Sequence, residues 1–128
     1  KITIYGNNYL TNDGTPVRDY IHVNDLAMAH YKAAKFLLKN GKSNIFNCGY
    51  GNGYSVLEIV KQFNKINKKK MNIIYGNRRK GDIAQLVSSE KKIKKTLKWK
   101  PRFNSINKIL KSSLQWEKKI NKSYANIY

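Results

Sequence analysis

The apolar positions in the first third of the chain change from a strand pattern to a helix pattern. Residues 1–5 alternate apolar and polar side chains, which predicts a strand, and residues 17–23 predict a second extended segment. In residues 26–38 the apolar side chains recur at helical spacing. Asn24 is the predicted N-cap of this helix, and Gly41 is the predicted left-handed residue after its end.

The middle of the chain predicts two strands with a helix between them. Residues 45–48 form a short apolar run that predicts a buried strand, and the glycine-rich loop 49–53 follows it. Ser55 and Glu58 have the spacing of a capping box, which predicts the start of a second amphipathic helix. Residues 71–75 predict another strand.

The last third predicts two further helices. One begins near residues 88–89 and is ended by Pro101, and the other begins after residues 104–105 and frays beyond Lys119. Mixed strands and about four helices indicate the α/β class, but the strands are too few for a complete doubly wound sheet. Because no linker divides the chain, we expect residues 1–128 to form one portion of a larger fold.

Charge is the most unusual feature of the composition. Lysine and arginine total 26 against 7 acidic residues, a formal net charge of +19. Such a balance is typical of proteins that bind polyanions. However, most of the basic residues are lysines on the expected solvent faces of helices, so we interpret the charge as a solvated surface. A basic nucleic-acid-binding module remains the non-enzyme alternative, and it predicts salt-sensitive binding to any DNA or RNA.

Other features of the composition narrow the protein class. Cys48 is the single cysteine, so no internal disulfide forms, which fits a reducing compartment. No apolar run is long enough to span a membrane. The chain begins with a strand pattern and without methionine or a secretory signal, and we therefore interpret it as a fragment.

The glycines of the 49–53 loop allow two interpretations. Gly49, Gly51 and Gly53 follow a predicted strand and precede a predicted helix, as in a dinucleotide-binding turn. Their spacing differs from that of the dinucleotide fingerprint, and no acidic residue follows at the usual distance. A tight turn that leads into a helix is therefore the favoured interpretation.

Two cationic segments are the candidate anion sites. Arg18 and Asp19 lie in the extended segment 17–23, where they form either a self-satisfied pair or a phosphate-binding arginine oriented by the aspartate. Residues 78–80 are three adjacent cations, which repel one another unless an anion lies among them. Two such sites would suit a diphosphate. The two histidines have no metal-ligand spacing and are predicted to be structural.

Several motifs together carry a family resemblance. They occupy residues 4–9, 13–15, 17–27, 46–51, 55–58, 78–82, 86–87, 97–101 and Trp116. The chain resembles the C-terminal third of the UDP-glucose 4-epimerases, members of the extended short-chain dehydrogenase/reductase family. The segment RDYIHVNDLA at residues 18–27 is the most specific of these motifs, whereas the glycine turn and the LKWKP element recur in related sugar-nucleotide enzymes.

The resemblance implies a substrate-binding role for five side chains. Arg18 and Arg79 are expected to contact the diphosphate of UDP-glucose or UDP-galactose, and Asp82 is expected to contact the ribose. Val56 is expected near the uracil, with Tyr20 as a neighbour of the nucleotide. The chemistry agrees, because guanidinium groups match phosphate oxygens and a carboxylate accepts hydrogen bonds from hydroxyls.

Three positions differ from the residues that are common in the family that the chain resembles. Leu86 stands where some carry a tyrosine against the sugar, which leads to the hypothesis that N-acetylated sugars are also accepted. Lys98 replaces a usual glycine, and Ile83 replaces a frequent proline. The last two put the subfamily in doubt more than the class of ligand.

The resemblance also implies an NAD-dependent epimerisation at the sugar C4. The family's cofactor fingerprint and catalytic residues lie upstream of the matching segment, so no catalytic residue is assigned and the chain alone is expected to be inactive. The intact enzyme is expected to be a cytoplasmic homodimer. The alternative enzyme is another nucleotide-sugar member of the family, a dehydratase or a decarboxylase.

Overall fold

The computed structural model describes residues 1–125, with side chains to residue 121. These residues form five short strands and four helices, and the predicted α/β class is confirmed. In chain order the elements are β1 (Ile2–Tyr5), β2 (Val17–Arg18), α1 (Val23–Leu38), β3 (Tyr54–Ser55), α2 (Val56–Asn67), β4 (Ile73–Gly76), β5 (Gln85–Leu86), α3 (Lys91–Leu97) and α4 (Ile106–Ala125).

The strands form two small sheets. β1 and β4 pair in parallel, from Ile2 beside Ile73 to Tyr5 beside Gly76. In the second sheet β2 is central, antiparallel to β3 and parallel to β5. Its register places Arg18 beside Leu86, and because side chains alternate along a strand, the neighbouring positions of β2 and β5 face the opposite side.

The main core lies between α1 and α3. Its buried members are Ala29, Tyr50, Ile93, Leu97 and Trp99. The Tyr50 and Trp99 rings stack with centroids 6.5 Å apart. A second helix contact joins α2 to α4.

Asp25 is the polar centre of this core. The residue is 3% exposed, and its carboxylate accepts hydrogen bonds from the Tyr50 hydroxyl and from the amides of Arg102 and Phe103. Its carbonyl accepts from Trp99 Nε1 at 3.0 Å. One buried acid therefore ties α1 to the glycine-rich loop and to the segment before α4.

The ends of α1 differ from the prediction. His22 is the N-cap, and its Nδ1 accepts from the Asn24 amide, so the Asn24 prediction is wrong. The left-handed residue after the helix is Asn40, with φ of 61°, and not Gly41. Asparagine tolerates this conformation better than other non-glycine residues do.

The later elements confirm most of the pattern. The Ser55–Glu58 capping box is present, and β4 covers most of the predicted strand at 71–75. Residues 45–48 form no strand, because no other strand of the described chain lies beside them.

The two last helices have different bounds from those predicted. α3 starts at Lys91 and ends at Leu97, with Lys98 in the left-handed conformation before Pro101 is reached. α4 continues past Lys119 to Ala125, where fraying was expected, and the rest of the predicted tail lies outside the described residues. Among the helices between residues 1 and 125, none combines the length and apolarity needed to cross a membrane.

Candidate functional site

Arg18 is held in place by main-chain carbonyls at the edges of β2 and β5. Its Nη1 donates to Val17 O at 2.7 Å and to Ile83 O at 3.0 Å. Its Nη2 lies 3.7 Å from Asp82 Oδ1, and a quarter of the side chain is exposed. Because two carbonyls fix one edge of the planar guanidinium, the other edge has a defined direction.

Arg79 reaches the same carboxylate from the loop between β4 and β5. Its Nε donates to Asp82 Oδ2 at 2.8 Å, and its Cζ lies 5.3 Å from the centre of the Tyr5 ring. The side chain is 63% exposed. The hydrogen bond to Asp82 raises the pKa of Arg79 above its ordinary value, so the group remains cationic.

Asp82 therefore lies between two guanidinium groups that are far apart in sequence. One carboxylate oxygen faces Arg18 and the other faces Arg79. Two cations around one anion leave one positive charge uncompensated within this cluster. Guanidinium groups that converge in this way match the oxygens of phosphate or pyrophosphate.

Of the three charged residues, Arg18 lines a cavity of 440 Å³. Leu86, beside Arg18 in the sheet, lines this cavity and is 58% exposed. The cavity lining consists of Arg18, Asp19, Phe46, Asn47, Cys48, Leu86, Val87 and Ser88. A leucine, an aromatic ring and several polar groups together form a surface that suits a sugar-sized ligand.

The other two predicted site residues are Tyr20 and Val56. Tyr20 follows Arg18 by two positions and is half-buried. Burial raises the pKa of its hydroxyl, and the Arg18 charge offsets part of that rise. Val56 is the first residue of α2, and its amide donates to Pro16 O, so it lies beside the start of β2.

Asp19 has a different role from the one considered for it. Its carboxylate accepts hydrogen bonds from the amides of Tyr50, Gly51 and Ser88, and it forms no ion pair with Arg18. A Cβ atom at Gly49 would overlap the Asp19 carboxylate. Asp19 therefore links the glycine-rich loop to the segment that follows β5. The acid that faces Arg18 is Asp82.

The glycine-rich loop does not fit a dinucleotide. The loop amides of Tyr50 and Gly51 already donate to Asp19, whereas a dinucleotide site needs free amides for the pyrophosphate. At the start of α2, Ser55 and Glu58 occupy the first amides in their capping box. The interpretation as a tight turn agrees with this geometry.

A second polar cluster lies on the opposite face of the sheet. Asp13 accepts from the amide and hydroxyl of Thr15 and from the Ser55 hydroxyl. Ser55 in turn caps α2. A cavity of 330 Å³ adjoins these residues, but their hydrogen bonds satisfy one another, so the cluster stabilises the start of α2.

His22 and Ser112 lie as close together as a catalytic His–Ser pair, but the imidazole proton is on the nitrogen that faces the serine. His22 Nε2 lies 3.0 Å from Ser112 Oγ. Because Nδ1 accepts from the Asn24 amide, the proton of the neutral ring is on Nε2 and is donated to the serine. The ring therefore cannot act as a base on Ser112. No cluster of three or more potential metal ligands occurs among the described residues.

Sequence reasoning missed the two tyrosines beside the arginines. Tyr5 ends β1 and lies beneath Arg79, and the Tyr9 ring lies beneath Arg78. Both contacts depend on the parallel pairing of β1 with β4, which brings the ends of the two strands together. The sequence signal for these contacts was a pair of tyrosines at and after the end of β1, together with a pair of arginines after the end of β4.

Comparison with known proteins places this geometry in context. A family model described as GDP-mannose 4,6 dehydratase matches residues 1–113. A UDP-glucose 4-epimerase of Azospirillum brasilense is 40% identical over 95% of this chain and 35% of its own length. The chain therefore spans about a third of the length of the curated relatives it matches.

Solved structures give the same picture. A UDP-glucose-4-epimerase from Stenotrophomonas maltophila, with bound NAD and formylated UDP-arabinopyranose, matches with a TM-score of 0.88 and 33% identity, over 96% of this chain and 36% of that one. A UDP-glucose 4-epimerase from Bifidobacterium longum, in complex with NAD⁺ and UDP, matches with a TM-score of 0.84 and 39% identity, over 93% and 35%.

Proposed function

The chain belongs to the GDP-mannose 4,6 dehydratase family, and on that premise we propose that it is the C-terminal, nucleotide-sugar-binding portion of a UDP-glucose 4-epimerase. The observation that carries the proposal is the convergence of Arg18 and Arg79 on Asp82, with Arg18 also lining a cavity. The names of relatives at about 40% identity favour epimerisation over a dehydratase or decarboxylase reaction.

The binding chemistry follows from the free edges of the charged groups. The diphosphate binds between the guanidinium groups of Arg18 and Arg79, while Arg79 Nε keeps its bond to Asp82. Asp82 Oδ1, 3.7 Å from Arg18, is available to accept from ribose hydroxyls. Val56 lies near the uracil and Tyr20 beside the nucleotide.

The chemical step belongs to groups outside these 128 residues. In the proposed reaction, bound NAD would supply hydride transfer at C4 of the sugar. The residues described here do not fit NAD, because two amides of the glycine-rich loop already donate hydrogen bonds to Asp19. We therefore assign this chain binding and orientation of the UDP-sugar, and no catalytic residue.

Two further expectations belong to the intact protein. We propose that it is a homodimer and that it works in the cytoplasm. Analytical ultracentrifugation of the intact protein tests the first expectation, and cell fractionation tests the second.

Calorimetric titration of the chain with UDP tests the binding proposal. Arg18→Met and Arg79→Met should each weaken UDP binding by about tenfold or more, since hydrogen bonds to charged groups contribute roughly 1.5–3 kcal/mol. The matched control is Lys80→Met, which removes an exposed charge from the same loop and should change the affinity less than about twofold.

Equal losses in all three variants would refute the proposal. That result would mean that the ligand responds to net charge and not to the two guanidinium groups. A fluorescence titration with single-stranded nucleic acid then tests the basic-module alternative, since such binding falls steeply with salt.

Leu86 sets the proposed tolerance for the sugar. Because a leucine occupies less volume than a tyrosine, we expect UDP-N-acetylglucosamine to compete with UDP for the chain, and Leu86→Tyr to weaken that competition while leaving UDP affinity unchanged. If the unchanged chain and Leu86→Tyr bind UDP-N-acetylglucosamine with equal affinity, residue 86 does not line the sugar site.

A further inference from the structure

The adjacent residues Arg78 and Arg79 have different surroundings. Arg79 donates to Asp82, whereas the Cζ of Arg78 lies 4.0 Å from the centre of the Tyr9 ring. Arg78 forms no ion pair with an acid among the described residues. Although three cations follow one another in the sequence, the structure thus directs only one of the two arginines towards Asp82.

The Tyr9 ring is a rigid support for Arg78. The residue is 4% exposed, and its amide donates to Gly14 O at 2.9 Å. Gly6 packs against both partners, because a Cβ atom there would come within 2.5 Å of the ring and 2.6 Å of Arg78 Cγ. With φ of 87°, Gly6 holds a conformation that glycine adopts at no steric penalty. Its amide donates to Gly76 O, which joins the ends of β1 and β4.

The Tyr9 hydroxyl is buried and has no hydrogen-bond partner in the described part of the chain. A buried hydroxyl without a partner is unfavourable, so the fold retains this residue for its ring. Tyr9→Phe keeps the ring and removes the unsatisfied group. It is therefore the matched control for any variant that removes the ring.

The rest of the loop has little packing of its own. Arg79, Lys80 and Gly81 are exposed, and a Cβ atom at Gly81 would meet no atom within 4 Å. Asp82 is linked back to Arg79 by both its amide and its carboxylate. These bonds fix the loop residues to one another but not to β1. Two ring contacts link the loop to the end of that strand, Arg79 over Tyr5 at 5.3 Å and Arg78 over the buried Tyr9 at 4.0 Å, and the second is the closer of the two.

From this arrangement we infer that Arg78 is a positioning residue. Held on the Tyr9 ring, it sets the β4–β5 loop so that Arg79 and Asp82 face Arg18, and it makes no contact with the ligand. The inference rests on the proposed function, because its effect is read through the affinity of that site for UDP.

The experiment is a double-mutant cycle on UDP affinity, measured by calorimetry on the 128-residue chain. Arg78→Met and Tyr9→Leu should each weaken UDP binding about three- to fivefold, since an exposed cation–π contact has a modest strength. The double variant should lose no more than the larger single loss, because both changes break one contact. Tyr9→Phe should bind UDP like the unchanged chain, and Arg78→Lys should recover part of the affinity.

Two readouts separate positioning from other roles. The affinity for uridine should also fall in Arg78→Met, because the displaced loop carries Asp82, the proposed acceptor for the ribose hydroxyls, whereas a direct contact of Arg78 with the phosphate would leave the affinity for uridine unchanged. Thermal unfolding of Arg78→Met and Tyr9→Phe should stay close to that of the unchanged chain, so the test remains decisive even where Tyr9→Leu fails to fold.

Each failure has its own signature. If Arg78→Met weakens UDP binding while Tyr9→Leu does not, or if the two losses multiply in the double variant, Arg78 contacts the phosphate directly and the inference is overturned. If Arg79→Met binds UDP as well as Lys80→Met does, the proposed function itself fails, and the inference fails with it.

Discussion

Replacing Asp25 with asparagine removes one negative charge without changing the size of the side chain. The carboxylate accepts from the Arg102 amide at 2.8 Å, the Phe103 amide at 2.8 Å and the Tyr50 hydroxyl at 2.6 Å. Because an asparagine has one side-chain oxygen, either orientation turns its NH₂ towards at least one donor. Each hydrogen bond to a charged group contributes about 1.5–3 kcal/mol, so we expect the free energy of unfolding to fall by roughly 2–4 kcal/mol.

Urea unfolding followed by tryptophan fluorescence measures this change. Trp99 is a direct reporter, because its Nε1 donates to Asp25 O. Glu117→Gln is the matched control, since it makes the same chemical change at an exposed position on α4, and it should alter the free energy of unfolding by less than about 0.5 kcal/mol. An Asp25→Asn midpoint equal to that of the control would refute the reasoning.

The same carboxylate predicts a pH dependence. Burial raises the pKa of Asp25, but the hydrogen bonds from Tyr50, Arg102 and Phe103 outweigh burial and hold the pKa below its ordinary value. The folded-state pKa therefore lies below the unfolded-state pKa. The stabilisation is complete above the unfolded-state value, about 3.9, and is lost as the pH falls through the folded-state value. Asp25→Asn should show a shallower loss of stability in acid.

Three other substitutions and one labelling reaction test particular contacts. Lys98→Gly should raise the free energy of unfolding by about 0.5–1 kcal/mol, because Lys98 holds φ of 49°. Lys95→Gly in the interior of α3 should lower the free energy of unfolding by about 1 kcal/mol. If urea unfolding shows that both glycine substitutions stabilise the chain, or that both destabilise it, the prediction is contradicted. Gly49→Ala should lower the melting temperature, because the added methyl group would overlap the Asp19 carboxylate; an unchanged melting temperature would mean that the loop moves aside freely. Burial and two nearby aspartates raise the pKa of the Cys48 thiol, so its reaction with iodoacetamide at pH 8 should be slower than that of free cysteine, and an equal rate would contradict the geometry.

Local signals account for what the sequence predicted well. The helical spacing of apolar residues located α1, α2 and α4, and the Ser55–Glu58 pair located the start of α2. Each of these signals lies within one element, where side chains three or four positions apart share a face. Such elements can be predicted without knowing their tertiary partners.

Features that depend on distant partners were harder to predict. Residues 45–48 have an apolar composition typical of a strand, but a strand also needs a neighbour to pair with. His22 is an unusual N-cap, and it serves as one because Ser112, on α4, accepts the Nε2 proton and leaves Nδ1 free to accept. No local pattern contains that contact.

The candidate site was predicted in part. Family resemblance selected Arg18, Arg79 and Asp82, and the structure brings these three side chains together, although their contacts with a ligand stay a prediction. The partner of Arg18 could not be predicted from adjacency. Asp19 is the neighbour in sequence, but the parallel pairing of β2 with β5 brings Asp82 to Arg18 and leaves Asp19 to bind loop amides.

The few acids in this basic chain differ in the groups that they bind. Only 7 residues are acidic against 26 basic ones, and repulsion among so many cations opposes a compact state. Asp19 and Asp25 each accept several main-chain amides, which lysines cannot do. At Asp82 the acceptor is shared by two guanidinium groups instead. Acids that bind amides stabilise the fold whatever ligand is present, whereas Asp82 holds two cations together. Among the described residues, Asp82 is thus the one carboxylate placed between two arginines.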